Sequence, residues 1–171
     1  MVLISVLFSV DIWDAWVHSG ILEISKDFIE YGKGAGIMNQ ISTFASARYW
    51  INNINIAWLL QSIVSLYAIY ISCLLFKTSK DKIVLSSILI CSSYLFSPYM
   101  HSYDLTALTV IAFLWIVKYR ELELNSTELY LCIFVWLMPL LVFPMYLVGL
   151  PIVPIAVFFF SIVIILKEKN L

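Results

Sequence analysis

The stretch IAWLLQSIVSLYAIYISCLLF, residues 56–76, decides the fold. It contains no Asp, Glu, Lys, Arg or Pro. An α-helix needs about 20 apolar residues to cross a hydrocarbon core roughly 30 Å thick. This run meets that length. Four further apolar runs follow at Ile83–Met100, Tyr103–Val117, Tyr130–Leu147 and Leu150–Leu166. The third is short by itself and is expected to begin among the lipid headgroups. Pro139 and Pro144 are expected to kink the fourth. Pro151 and Pro154 fall in the first turns of the fifth, where proline is tolerated.

Composition agrees with that pattern. The chain is 63% hydrophobic and 12% charged, with a mean hydropathy of +0.97. A soluble domain is roughly half apolar and a quarter charged. The expected fold class is therefore all-α, a polytopic membrane bundle. It has about five full transmembrane helices, a partial N-terminal one and an external amphipathic helix. All of it, 1–171, forms a single membrane domain. No stripe of Lys or Arg suggests nucleic acid. Cys73, Cys91 and Cys132 each lie inside an apolar run, without a CxxC pair, and read as small apolar residues between helices.

Residues 1–10 are apolar but cover only half a span. They lack the basic start and cleavage pattern of a signal peptide and read as the last turns of a helix. Residues 11–55 are too polar to cross. Within them, Ile12, Trp13, Trp16, Val17, Ile21, Ile24 and Phe28 recur at helical spacing with charges between, the pattern of an amphipathic interfacial helix. Tyr31–Gly36 breaks it, Asn39–Tyr49 reads as a second short helix, and Asn52, Asn53 and Asn55 lead into the first full span.

Charge orients the spans. Lys77, Lys80 and Lys82 follow the first span, Lys118 and Arg120 the third, and Lys167 and Lys169 the fifth. With the intervening crossings, all of these fall on one side, which the positive-inside rule makes cytoplasmic. Residues 11–55 and the turn at 97–104 are then external, and the expected location is the plasma membrane.

That outer turn, Ser97-Pro98-Tyr99-Met100-His101-Ser102-Tyr103-Asp104-Leu105, is the polar knot of the chain. Ionisable groups at the edge of a hydrocarbon layer are costly unless paired, solvated or used. Asp104 precedes an apolar helix and could be its N-cap. Alternatively His101, Tyr103 and Asp104 line an outward pocket, with Asp104 accepting hydrogen bonds from sugar hydroxyls or orienting the histidine. Arg48, near Phe44, Tyr49 and Trp50, could grip a phosphate with its planar fork or reach up to lipid phosphate. Gln61 reads as an interhelical hydrogen-bond donor. Trp13, Trp16, Trp50 and Trp58 read as interface anchors. No GxSxG, phosphate loop or HExxH motif is present. Ser97, His101 and Asp104 lie too close together, at one turn, to read as a hydrolase triad.

The run Tyr94–Leu105 followed by an apolar helix resembles the "(S/T)P-aromatic…YDL" signature of glycosyltransferase family 87, a C-type, polyprenol-phosphate-dependent mannosyltransferase-like family. Ser42-x-Phe44-x-x-x-Arg48 followed by Ala57-Trp58-Leu59-Leu60-Gln61 resembles the family's short external helix and the span after it. The resemblance covers nearly the whole chain, and the YDL block is its distinctive part. It implies transfer of a mannose-like hexose from a polyprenyl-phosphate donor to a lipid-linked or cell-envelope glycan at the outer face. It also implies that Arg48 and His101 contact the donor phosphate, and Tyr103 and Asp104 the sugar or acceptor. Transfer of this kind is metal-independent or assisted by a divalent metal. Members of the family are longer, and their superfamily carries an acidic catalytic base in a first external loop that this chain does not have. The expectation is a C-terminal portion whose base comes from a missing N-terminal half, and which transfers no sugar alone. The alternative is a non-enzymatic membrane protein, a lipid-linked-sugar transporter or assembly subunit.

Overall fold

The computed structural model describes residues 40–118, 120–147, 150 and 152–168. The partial span at 1–10, the amphipathic helix with Trp13 and Trp16, and the break at 31–36 lie outside the described residues. Among the described residues all regular structure is helical, in six α-helices and one 3-10 turn.

Helix α1 is Thr43–Ile51. Ser42 caps it, its Oγ accepting the Ala45 N–H at 3.1 Å. The helix does not start at Asn39 as expected, because Gln40 forms an isolated antiparallel bridge with His101. Beside it the Ile41 N–H donates to the Met100 carbonyl at 2.8 Å. Asn52 ends α1 in the left-handed region, at φ 52, where Asn carries less penalty than most residues. Asn53 then caps α2, Ile54–Thr78, its Oδ1 accepting from the N–H groups of Asn55 and Ile56.

Helix α3 is Lys82–Phe96, capped by Asp81 through the N–H groups of Ile83 and Val84. It stops four residues short of Met100, where the apolar run ends. Ser97 precedes Pro98, and a residue before proline is driven to extended geometry, here φ -78 and ψ 127. The 3-10 turn Ser102–Asp104 leads into α4, Leu105–Val117.

Helix α5, Ser126–Leu147, starts before the apolar run it was read from. Asn125 and Glu128 close a reciprocal cap: Asn125 Oδ1 accepts the Glu128 N–H at 2.9 Å, and Glu128 Oε2 accepts the Asn125 N–H at 2.8 Å. Pro139 and Pro144 lie inside this helix. Helix α6 is Val153–Glu168, with Pro154 in its first turn.

By length and composition α2 and α5 are able to cross a membrane, whereas α3 and α4 are shorter apolar helices. At about 1.5 Å per residue, the 25 residues of α2 reach roughly 37 Å, and the 15 of α3 roughly 22 Å.

The helices pack as antiparallel neighbours: α2 on α3, α3 on α4, α4 on α5 and α5 on α6, with α6 returning to α3. Trp115 of α4 is fully buried and stacks edge-on against Phe160 of α6. Its Nε1 donates to Ser87 Oγ of α3 at 2.8 Å, and that hydroxyl donates to the Ile83 carbonyl. Two further pairs of hydroxyls on packed faces are likewise matched. Ser72 meets Ser92 at 2.7 Å, and Tyr67 meets Ser161 at 3.0 Å. A hydroxyl in an apolar interior costs free energy unless it is bonded, so these pairs fix which helix faces which.

This arrangement separates the charges. The Lys77–Lys82 loop, Lys118, Arg120 and Lys167 gather at one end of the packed helices, whereas Gln40, Arg48, His101 and Asp104 gather at the other.

Candidate functional site

At the second end, the loop after α3 is held from both sides. Gln61, on the second turn of α2, is 2% exposed. Its Nε2 lies 3.0 Å from the Leu95 carbonyl and 3.1 Å from that of Phe96, the last residues of α3, and 3.0 Å from Ser65 Oγ. Its Oε1 accepts the Phe44 N–H at 3.0 Å. One amide thus closes the carbonyl end of α3 and the amino end of α1 together, satisfying groups that helix ends leave open. The expected interhelical donor is in place, and it is an acceptor as well. Phe44 packs on Trp58, ring centroids 4.5 Å apart.

The turn that follows is hydrogen-bonded onto itself. Asp104 Oδ2 accepts the His101 N–H at 2.9 Å, and the Asp104 N–H donates to the His101 carbonyl at 3.0 Å. Asp104 has helical geometry and makes no side-chain cap on α4. Its carboxylate reaches back to the entry of the 3-10 turn, so Asp104 holds the N-cap position of α4, as expected, without its side chain capping that helix. The His101 and Tyr103 rings stack, 5.1 Å apart and 13° from parallel, with Tyr103 71% exposed. The geometry therefore joins His101, Tyr103 and Asp104 into one unit: an imidazole and a phenol face to face, and a carboxylate tied by one oxygen. Partial burial raises the Tyr99 phenol above its ordinary pKa.

Arg48 is placed differently from the lipid-reaching side chain considered above. It is only 9% exposed, whereas its neighbours Tyr49 and Trp50 are exposed. Its helix is tied to the turn through Gln40–Ile41 and through Gln61.

Sequence reasoning passed over Tyr94. It is 6% exposed, and its buried hydroxyl makes no hydrogen bond among the described residues. A tyrosine in the last turns of an apolar helix gives no sequence signal that separates this from ordinary packing.

Among the described residues no group of three His, Cys, Asp or Glu is placed to hold a metal ion. The turn itself offers one imidazole and one carboxylate. Compared with known proteins, the chain matches no family model, no curated protein and no solved structure.

Proposed function

We propose that the chain is the outer-face binding portion of a membrane-embedded hexosyltransferase. Its five apolar helices cross the plasma membrane, with the lysine-bearing end cytoplasmic and the turn at 97–104 external. The substrate class is a hexose, mannose-like, on a polyprenyl phosphate, and the acceptor is a lipid-linked or envelope glycan. The catalytic base comes from outside the described residues.

The observation that carries this reading is the turn that holds the Asp104 carboxylate beside the stacked His101 and Tyr103 rings. A buried hydroxyl without a partner costs about 1–3 kcal/mol. The Tyr94 hydroxyl, without a partner among the described residues, stands in the last turn of α3, which leads into the turn that carries Asp104. A ligand hydroxyl donating to Asp104 and accepting from Tyr94 would satisfy both. The stacked His101–Tyr103 pair offers an exposed aromatic face alongside, and the imidazole can donate to phosphate. In this mechanism the chain's own residues bind and orient. Asp104 and Tyr94 hold the sugar hydroxyls, Tyr103 covers one sugar face, and His101 and Arg48 balance the phosphate charge.

The membrane setting is supported by the outward faces. Leu66 is 67% exposed and Leu140 75%. Large contiguous apolar surface in water marks a membrane or partner contact. The transporter reading is less favoured. A transporter carries polar groups at mid-depth for its cargo, and here the inward hydroxyls of Ser72, Ser92, Ser87 and Ser161 are bonded to their neighbours.

The test is retention of a polyprenyl-phosphate hexose by membranes holding the complete protein. Asp104→Asn keeps an oxygen for the His101 N–H but removes the charge. Tyr94→Phe removes only the hydroxyl. Each is expected to weaken retention about tenfold or more, given about 1.5–3 kcal/mol for a hydrogen bond to a charged group, with no loss of thermal stability and, for Tyr94→Phe, a gain. Wild-type retention by both variants would leave the reading without support.

A further inference from the structure

The opposite end holds a second arrangement, independent of the turn. Leu74, Leu75 and Thr78 of α2 and Ile165 and Glu168 of α6 line a cleft of about 250 Å³. Its walls are mainly apolar, and it opens where the last turns of the two helices meet. Lys77 lies in the last turn of α2, and Lys80 and Lys82 follow in the loop and at the start of α3. All three are exposed.

The cations at this end are not equivalent. Lys118 pairs with Glu121 at 3.1 Å. Lys167 pairs with Glu128 at 2.8 Å and donates to the Glu123 carbonyl. Asp81, the acid inside the lysine loop, accepts from the N–H groups of Ile83 and Val84. Lys77, Lys80 and Lys82 make no ion pair or hydrogen bond among the described residues. Three unspent positive charges therefore stand beside an apolar cleft.

Taking the membrane setting proposed above, we infer that this end binds an anionic phospholipid, with its phosphodiester among Lys77, Lys80 and Lys82 and an acyl chain in the α2–α6 cleft. The apolar walls select a lipid over a soluble phosphate, which would leave them in contact with water. Glu168 stands on the α6 side and repels an anion, so the headgroup sits toward the α2–α3 loop. Each lysine near an anionic surface contributes enough to change affinity roughly fivefold, and three together about a hundredfold.

The experiment uses the full chain in mild detergent, with lipid retention read by native mass spectrometry and stability by thermal melting. Phosphatidylglycerol is expected to be retained in preference to phosphatidylcholine and to raise Tm. Replacing Lys77, Lys80 and Lys82 together with Gln is expected to remove that preference by about two orders of magnitude. Glu168→Gln should strengthen it. Thr78→Trp, which fills the cleft, should weaken retention of both lipids. Equal retention of the two lipids by the wild type, or undiminished preference in the triple variant, overturns the inference. So does displacement of phosphatidylglycerol by equimolar inorganic phosphate. None of these readouts involves a sugar donor, so they stand or fall apart from the outer-face site. If the wild type fails to remain folded in detergent while holding any lipid, the membrane setting fails first.

Discussion

At the scale of single residues, Gln61 organises the end that carries the His101–Asp104 turn. Its amide meets two α3 carbonyls, Ser65 Oγ and the Phe44 N–H. Gln61→Leu keeps similar volume but strands a buried N–H and at least one carbonyl. It is expected to lower stability by about 1–3 kcal/mol, read from thermal or chemical unfolding in detergent. Gln61→Glu should cost more, because a carboxylate then faces two carbonyl oxygens. A Leu variant as stable as the wild type would mean that the network contributes nothing. The glutamine was visible in the sequence as a polar residue one turn into an apolar run. Its partners were not, since Leu95 and Phe96 lie 34 and 35 residues away. The same limit applies to Asp104. Its position before an apolar helix suggests an N-cap, but the choice between facing forward to α4 and back to His101 is made by the turn geometry. That turn is held in turn by Gln40 and Ile41, some sixty residues earlier.

At the scale of helices, hydropathy located each apolar helix and the ends at Val117 and Leu147, but it misplaced other ends, because backbone chemistry decides ends. Pro98 stops α3 inside its apolar run. The Asn125–Glu128 cap starts α5 before its apolar run begins, and the N-x-x-E spacing that signals such a cap was there to be read. What spacing could not show is the second use of Glu128. Its Oε2 also meets Lys167 Nζ at 2.8 Å, with the two side chains only 12% and 13% exposed. This clamp ties the start of α5 to the end of α6. Lys167→Met leaves a largely buried carboxylate uncompensated and is expected to cost about 2–4 kcal/mol, toward the range for breaking a buried pair. Glu128→Gln preserves the cap and removes the charge. Combined with Lys167→Met, it should recover part of the loss, giving a coupling of about 1 kcal/mol or more in a double-mutant cycle. Additive losses would show that the pair is not coupled and that Lys167 acts through the Glu123 carbonyl alone.

At the scale of the whole molecule, two chemistries occupy opposite ends of one set of antiparallel helices. Lysines collect where α2, α4 and α6 end, and the His101–Asp104 turn sits where α3 ends and α4 begins. Charges at a helix end resist crossing a hydrocarbon layer, and Lys and Arg are retained on the cytoplasmic side during insertion. The orientation can therefore be tested without knowing the substrate. Cys73 is exposed and Cys91 and Cys132 are buried, so all three are first replaced by Ala to give a silent background. Tyr103→Cys places a thiol at a position 71% exposed on the turn, and Lys80→Cys places one in the lysine loop. In intact cells a membrane-impermeant maleimide should label position 103 and leave position 80 untouched until the membrane is opened. Labelling in the reverse order would invert the orientation and put the turn where an exported lipid-linked sugar cannot reach it, removing the proposed substrate while leaving the helix packing intact. Labelling of both from outside would show that α2 and α3 do not cross, and with that the lipid cleft at the lysine end would lose its membrane as well.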